Sequence, residues 1–234
     1  MLIILPPSET KASGGDNPPL DFDSLSYPAL NSIRAGIASQ LSQMPIDVAM
    51  STLGLSEKLR DEARANTELL TSPTMPALLR YTGVLFDALS AATLPSSAWD
   101  HLVIGSALFG VVGARDLIPR YRLSGSTKLG GKTLKSLWKS AISDELDSHD
   151  FVVDLRSGVY QQLGKTAAVT VRVENRDGKV ISHFNKHYKG ELARELALHP
   201  VSSVAEIQDL PGFNFKPDVV VRGKQQELTL VVDH

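Results

Sequence analysis

This sequence predicts a mixed α/β (α+β) fold, helix-rich in its first half and drawing a mixed sheet mainly from its second. Three observations carry that expectation. From Tyr27 to Leu94 apolar residues recur at helical spacing, whereas residues 151–155 and 167–174 are β-branched or alternate with period two. At 234 residues, 42% hydrophobic, the chain suffices for one sizeable core and is short for two, so residues 1–234 read as a single compact domain.

The elements follow in order. Leu2 to Leu5 is an apolar run stopped by Pro6 and Pro7, a short buried strand that opens into a loop over residues 12–23 rich in Gly, Asp and Pro. Helices are expected over residues 29–41, 47–53, 57–69 and 76–92, with a break at Gly54-Leu55 and Ser56 as an N-cap. A strand is expected at residues 101–104, then a helix from near Gly131 to Leu146. Asn175-Arg176-Asp177-Gly178 has hairpin chemistry, since Asp-Gly favours positive φ, and a return strand at residues 180–184 should follow. Residues 186–198 read as a helix, Ser203 as the cap of a short helix to Leu210, and residues 219–221 and 228–232 as a hairpin around Gly223.

Composition excludes several functions. Cysteine is absent, which removes disulfides, thiolate zinc sites, iron-sulfur ligation and thiol-based peroxide sensing. The opening apolar run of four residues is far below a signal-peptide core, and no stretch approaches a membrane span, so a cytoplasmic protein without membrane contact is expected. The formal net charge is only -2. Anion binding must therefore come from a local patch and not from a bulk field.

Such a patch is legible between Ser106 and Lys139, where Arg115, Arg120, Arg122, Lys128, Lys132, Lys135 and Lys139 face one acid, Asp116. Extended backbone would put Arg120 and Arg122 on one side and Tyr121 on the other. In a helix, Lys132, Lys135 and Lys139 would form one stripe beside an apolar stripe of Leu134, Leu137, Trp138 and Ala141. The alternative is a solvated face with arginines paired to Asp116 and other acids. Lys186, Gly190 and Arg194 share a helix face at i, i+4, i+8, the glycine leaving space for a ligand close to the backbone. His183 and His187 are four apart but lack the intervening Glu of a zincin helix; no metal site and no cofactor are assigned. Ser8 and Lys11 at the end of the first strand suit a phosphate or carboxylate, or an ordinary loop. Between two helices, residues 53–59 resemble a helix-hairpin-helix corner, with Ser56 where a second glycine usually stands and Lys58, Arg60 and Arg64 following.

Taken together these segments resemble the YaaA family of peroxide stress resistance proteins, over nearly the full length. The marks are Pro6 to Lys11, Leu55 to Leu59, Tyr81 to Gly83, Ser106 to Gly110, Asp116 to Leu123, Trp138, Ser157 to Tyr160, Lys186 with Gly190 and Arg194, and Gly212-Phe213. The family resemblance implies a compact α/β domain with a basic cleft, a helix-hairpin-helix, duplex-DNA binding and a role in limiting damage from hydrogen peroxide and iron. Where the family usually shows Arg-Pro this chain has Gly113-Ala114, with Arg115 as a possible replacement cation; Ser124 and Val159 stand where acids are usual.

The reading is a DNA-binding protein of the oxidative stress response that contacts phosphates of double-stranded DNA, with little sequence selectivity, through Lys11, Lys58, Arg115, Arg120, Arg122, Lys132, Lys135, Lys186 and Arg194. The alternative is an enzyme acting on a nucleotide or another small phosphorylated or carboxylated anion, with Ser8, Lys11, Tyr121, Arg122 and Lys186 in the same cleft and Arg194 beside them.

Overall fold

A computed structural model describes residues 1–181 and 184–233. Its sheet is built around strand β1 (Leu2–Leu5), whose four residues are all buried because a parallel strand is covered on both faces. Helices α1 (Asn31–Ser42), α2 (Ile46–Leu53) and α3 (Arg60–Thr67) follow. Next come a two-residue strand β2 (Met75–Pro76) and the short helices α4 (Ala77–Arg80) and α5 (Val84–Leu89). Strands β3 (Leu102–Ser106), β4 (Gly110–Gly113) and β5 (Leu117–Ile118) return to the core. A small hairpin, β6 (Lys128–Leu129) and β7 (Lys132–Thr133), leads into α6 (Leu134–Trp138) and α7 (Ala141–Leu146). Then come β8 (Val152–Asp154), α8 (Gly158–Gln161), β9 (Ala168–Asn175), α9 (Asn185–Leu198) and α10 (Val204–Gln208). The described chain closes with β10 (Asn214–Phe215), β11 (Val220–Arg222) and β12 (Gln225–Val232).

In the eight-stranded sheet the path is β10-β12-β9-β8-β1-β3-β4, with β11 paired to β12. The five neighbours from β12 through β9, β8 and β1 to β3 are parallel, while β4 runs antiparallel beside β3. From β1 the chain proceeds to β3 on one side; from β8 it proceeds to β9 on the other. The carboxyl ends of β1 and β8 therefore flank the point where the winding reverses, the position at which open α/β sheets form a crevice.

Several expected helices are shorter than their patterns. Residues 76–92 are broken at Tyr81-Thr82-Gly83, because Gly83 sits at φ 101 and starts α5 afresh. Lys139, at φ 49, separates α6 from α7, and Lys132 lies in β7, so Lys132, Lys135 and Lys139 do not form one helical stripe. The second helix of the expected corner begins as a 3-10 turn at Glu57, and Ser56 makes no side-chain cap bond. Ser203 does cap α10, accepting from the Glu206 amide. Of the return strand at 180–184, Val180 bridges Glu174, while Ser182 and His183 lie outside the described residues, and with them the His183–His187 pair.

Gly190 has a different role from the one expected. A Cβ there would meet the Leu85 carbonyl oxygen at 2.3 Å and the Ala88 Cβ at 2.8 Å. The space between Lys186 and Arg194 is thus filled by α5, and glycine is needed for two helices to touch. Gly190→Ala gains about 1 kcal/mol of helix propensity but overpacks a contact at a cost of about 1–3 kcal/mol. We expect a net loss of up to about 2 kcal/mol in urea unfolding; a raised midpoint would show that α5 can move aside.

Candidate functional site

The loop leaving β1 is held by two buried side chains. Arg80, fully buried, donates to the carbonyls of Ala12 at 2.6 Å and Ile118 at 3.2 Å, fixing the far end of the loop against β5. Lys11 bridges Tyr81 and is itself buried, its Nζ donating to the backbone carbonyls of Ser8 at 3.0 Å and Glu9 at 3.4 Å. The ammonium lies 4.2 Å from the Tyr121 ring centroid and 5.2 Å from that of Tyr81, a cation-π seat. Burial, reinforced by the Arg122 charge, lowers its pKa to about 7. Lys11 thus reaches the Ser8 carbonyl and not its hydroxyl, which instead pairs with Thr10 at 3.0 Å. The arrangement gives Ser8 no base.

Tyr121 is equally enclosed. Its hydroxyl lies 2.7 Å from both the Tyr81 and Ser106 hydroxyls, and burial pushes its pKa well above the ordinary value. It holds the carboxyl end of β3 to α4's exit and faces no hollow. Its neighbours in sequence point elsewhere, as extended backbone requires. Arg120 donates to Glu62 at 2.6 Å, and Arg122 pairs with Glu9 while Asn66 of α3 clamps its backbone, accepting at 2.8 Å and donating at 2.9 Å.

Two larger hollows adjoin on this side of the sheet, beside a smaller one of about 390 Å³ that Ser8, Thr10, Gly83 and Lys186 line. One of the two, of about 670 Å³, is lined by the α2 end and turn (Ser51 to Gly54), Arg122 and Lys128. The other, about 730 Å³, is the switch-point crevice itself, between Pro6-Pro7 after β1 and residues 155–161 after β8. Glu9, Ser124 and Ser126 line both. Beneath the crevice Arg156 is fully buried, donating to both oxygens of Asp154 at 2.9 Å and to the Gly164 carbonyl at 2.8 Å. Lys186 and Lys189 of α9 line it from above.

The expected cationic residues are therefore dispersed. Arg122, Lys186 and the turn after α2 share the adjoining hollows, and Lys11 lies behind their wall. Lys58 is exposed and lines neither hollow, and Lys132 and Lys135 are exposed on the β7–α6 segment. Arg115 does not replace a lost cleft cation: it follows β4's end, opposite the start of β3, and pairs with Asp100 at 3.0 Å beside Trp99. Arg194 donates to the Leu89 carbonyl at 3.0 Å and to Thr93 at 2.9 Å, capping α5 away from the crevice. Among the described residues Asp116 forms no ion pair with an arginine; it accepts from the Ser26 and Gly113 amides. The sequence reading missed Asp154, Arg156 and Lys189. A charged residue just after a strand was the available signal for Arg156, and its i+3 spacing from Lys186 the signal for Lys189. Among the described residues no helix is long and apolar enough to cross a membrane.

Comparison with known proteins agrees with the marks in the sequence. A family profile described as peroxide stress protein YaaA matches residues 1–219. A UPF0246 protein of Corynebacterium glutamicum is 54% identical over 99% of this chain and 100% of its own length. One from Corynebacterium efficiens is likewise 54% identical over 99% and 100%, and one from Streptomyces coelicolor is 38% identical over 95% of each chain.

Lys11 gives a test of the site's electrostatics. Its folded pKa of about 7 lies below the ordinary lysine value of 10.5. Between those values the unfolded chain holds the proton and the folded chain does not, so stability rises with pH across that window; below about pH 7 both states are protonated and the slope vanishes. Relative to Lys11→Met, the native protein should gain stability with a slope approaching about 1.4 kcal/mol per pH unit. Denaturant midpoints of the two proteins that run parallel from pH 7 to 10 would show the amine to be solvated.

Proposed function

The chain belongs to the peroxide stress protein YaaA family, and we propose that it acts in the cytosol by holding the phosphate backbone of duplex DNA across the two adjoining hollows. The observation that carries this reading is a shared wall, Glu9, Ser124 and Ser126, between a hollow with Arg122 and Lys128 and one with Lys186. Neither Lys128 nor Lys186 forms an ion pair among the described residues, so both ammonium groups are free to meet phosphate. The hydroxyls of Ser124, Ser126 and Thr127 and the turn at Gly54 add neutral donors of the kind that position a backbone without reading sequence.

Glu9 fits the same picture as a placeholder. It is paired with Arg122, yet its side chain is 58% exposed while that of Arg122 is 14% exposed. The arginine is fixed and the acid can leave, so a phosphate can take its position on the guanidinium. A chain without cysteine cannot meet peroxide with a thiol, so protection here takes a route that needs none. Covering DNA is one such route.

Affinity for a labelled duplex should fall with salt, with a log-log slope near -0.9 for each phosphate neutralised. Arg122→Ala, Lys128→Ala and Lys186→Ala should each weaken binding about equally on unrelated sequences and reduce that slope by about 1. Glu9→Gln should strengthen it several-fold, on the order of 1 kcal/mol, by removing a competing anion. A flat salt response, or three lysine and arginine variants that bind as the native protein does, would overturn the reading.

A further inference from the structure

The switch-point crevice differs from the hollow beside it. It is a cleft of about 730 Å³ between the loops that leave β1 and β8 and the start of α9. On the duplex reading the double helix lies across its mouth, where Lys186 is exposed, without entering it. The volume is that of a small-molecule site.

Its charges are unbalanced in one direction. Of the lining acids, Glu9 is paired with Arg122 and Glu227 with Arg222. Arg156 is neutralised by Asp154. That leaves Lys186 and Lys189. Lys189 is only partly exposed and makes a single bond, to the Leu155 carbonyl at 3.4 Å, with no carboxylate in ion-pair range among the described residues. Burial lowers its pKa despite the attraction of Asp154 and Glu227. An ammonium placed in a crevice without a counter-ion is a group that an anion stabilises.

Part of the lining is apolar. Pro6, Pro7, Val159, Tyr160 and Val180 make up that part, with Val159 and Val180 exposed at 46% and 53% though large and hydrophobic. Apolar surface left open beside a cation pair suits a ligand with a charged end and a flat, poorly hydrated one. Gln161, Asn185 and Gln225 supply amides that can meet the edge of a heterocycle.

We propose that this crevice takes one unpaired nucleotide, its phosphate on Lys186 and Lys189 and its base against Val159, Tyr160 and the Pro6-Pro7 turn. The nucleotide comes either free or swung out of a strand held in the adjoining hollow; the second source rests on the duplex reading above. Bases stack on an aromatic ring such as that of Tyr160 whatever their identity, and the cost of swinging one out is least where it is already unpaired.

The test uses the full chain and three probes: a labelled paired duplex, the same duplex with one unpaired adenosine, and AMP, with inorganic phosphate as control. Val159→Trp fills the crevice from an exposed position, and Lys189→Gln removes the counter-ion-free charge; circular dichroism checks both folds. The bulged duplex should bind about tenfold tighter than the paired one. Val159→Trp should abolish that difference without changing affinity for the paired duplex, and Lys189→Gln should reduce it. AMP binding that Val159→Trp removes, with no preference for the bulge, would support the crevice and assign it to free nucleotides. AMP binding without any DNA binding would likewise support the crevice while the duplex reading failed. Equal affinity for both duplexes with no AMP binding would overturn the proposal and leave the duplex reading intact, and phosphate competing as well as AMP would overturn it by showing that no base is read.

Discussion

The ion pair of Asp154 with Arg156 is the constraint on which the carboxyl edge of the sheet depends. Both side chains are essentially sealed from water, at 0% and 1% exposure. Burying two charges costs more than their attraction returns unless the remaining protons and lone pairs are satisfied. Here they are: the Arg156 amide donates to Asp154 at 3.0 Å, and its guanidinium reaches the Gly164 and Tyr160 carbonyls. The arginine stem then passes so close to β3 that a Cβ on Gly105 would meet its Cδ at 2.5 Å. One side chain thus ties the exit of β8 across β1 to β3. The floor of the crevice is set before any surface residue is chosen.

Two kinds of cation do different work around that floor. Arg34, Arg80 and Arg156 are fully buried and spend their donors on acceptors inside the fold, backbone carbonyls for the most part, as Arg34 does at Phe109 and Val111 and Arg156 at Tyr160 and Gly164 beside Asp154. Guanidinium suits this because its planar donors can satisfy several fixed acceptors at once. The lysines that line the hollows, Lys128, Lys186 and Lys189, make few bonds, and none has a carboxylate in ion-pair range among the described residues. The Ser106 to Lys139 run mixes both kinds with residues that do neither. Its seven cations look like one patch only while they are read along a line; the backbone sends Arg115 to the opposite edge of the sheet, Arg120 and Arg122 to Glu62 and Glu9, and Lys128 alone into a hollow unpaired.

What was legible in the sequence was what local pattern decides. Apolar runs such as Leu2 to Leu5, the Asp-Gly turn, Ser203 as a cap and the extent of α9 all follow from residue order within a few positions. The breaks at Gly83 and Lys139 were not legible, because a helical pattern continues through both and only tertiary packing stops it. Strand order was also out of reach: β1 lies between β3 and β8, which are far away in sequence. Site residues divided the same way. Arg122 and Lys186 stood out by their charge. Lys189 looked like an ordinary helix lysine, and Asp154 with Arg156 like the end of a strand, since burial rather than type gives them their roles.

Holding a cation with an exposed acid has a consequence for how such a surface meets phosphate. An arginine left bare in a groove would be fully hydrated, and binding would have to strip that water. With Glu9 on Arg122, the guanidinium is already desolvated on one side and oriented by Asn66 through the backbone. Exchange of carboxylate for phosphate then replaces one anion by another at a prepared site, so the net gain is a difference between two similar interactions and not the whole of one. On the proposed reading, such a site would bind modestly at each contact and release readily. Strength must come from several contacts along a backbone, and discrimination from a place where one unit of the ligand enters a pocket that the others cannot.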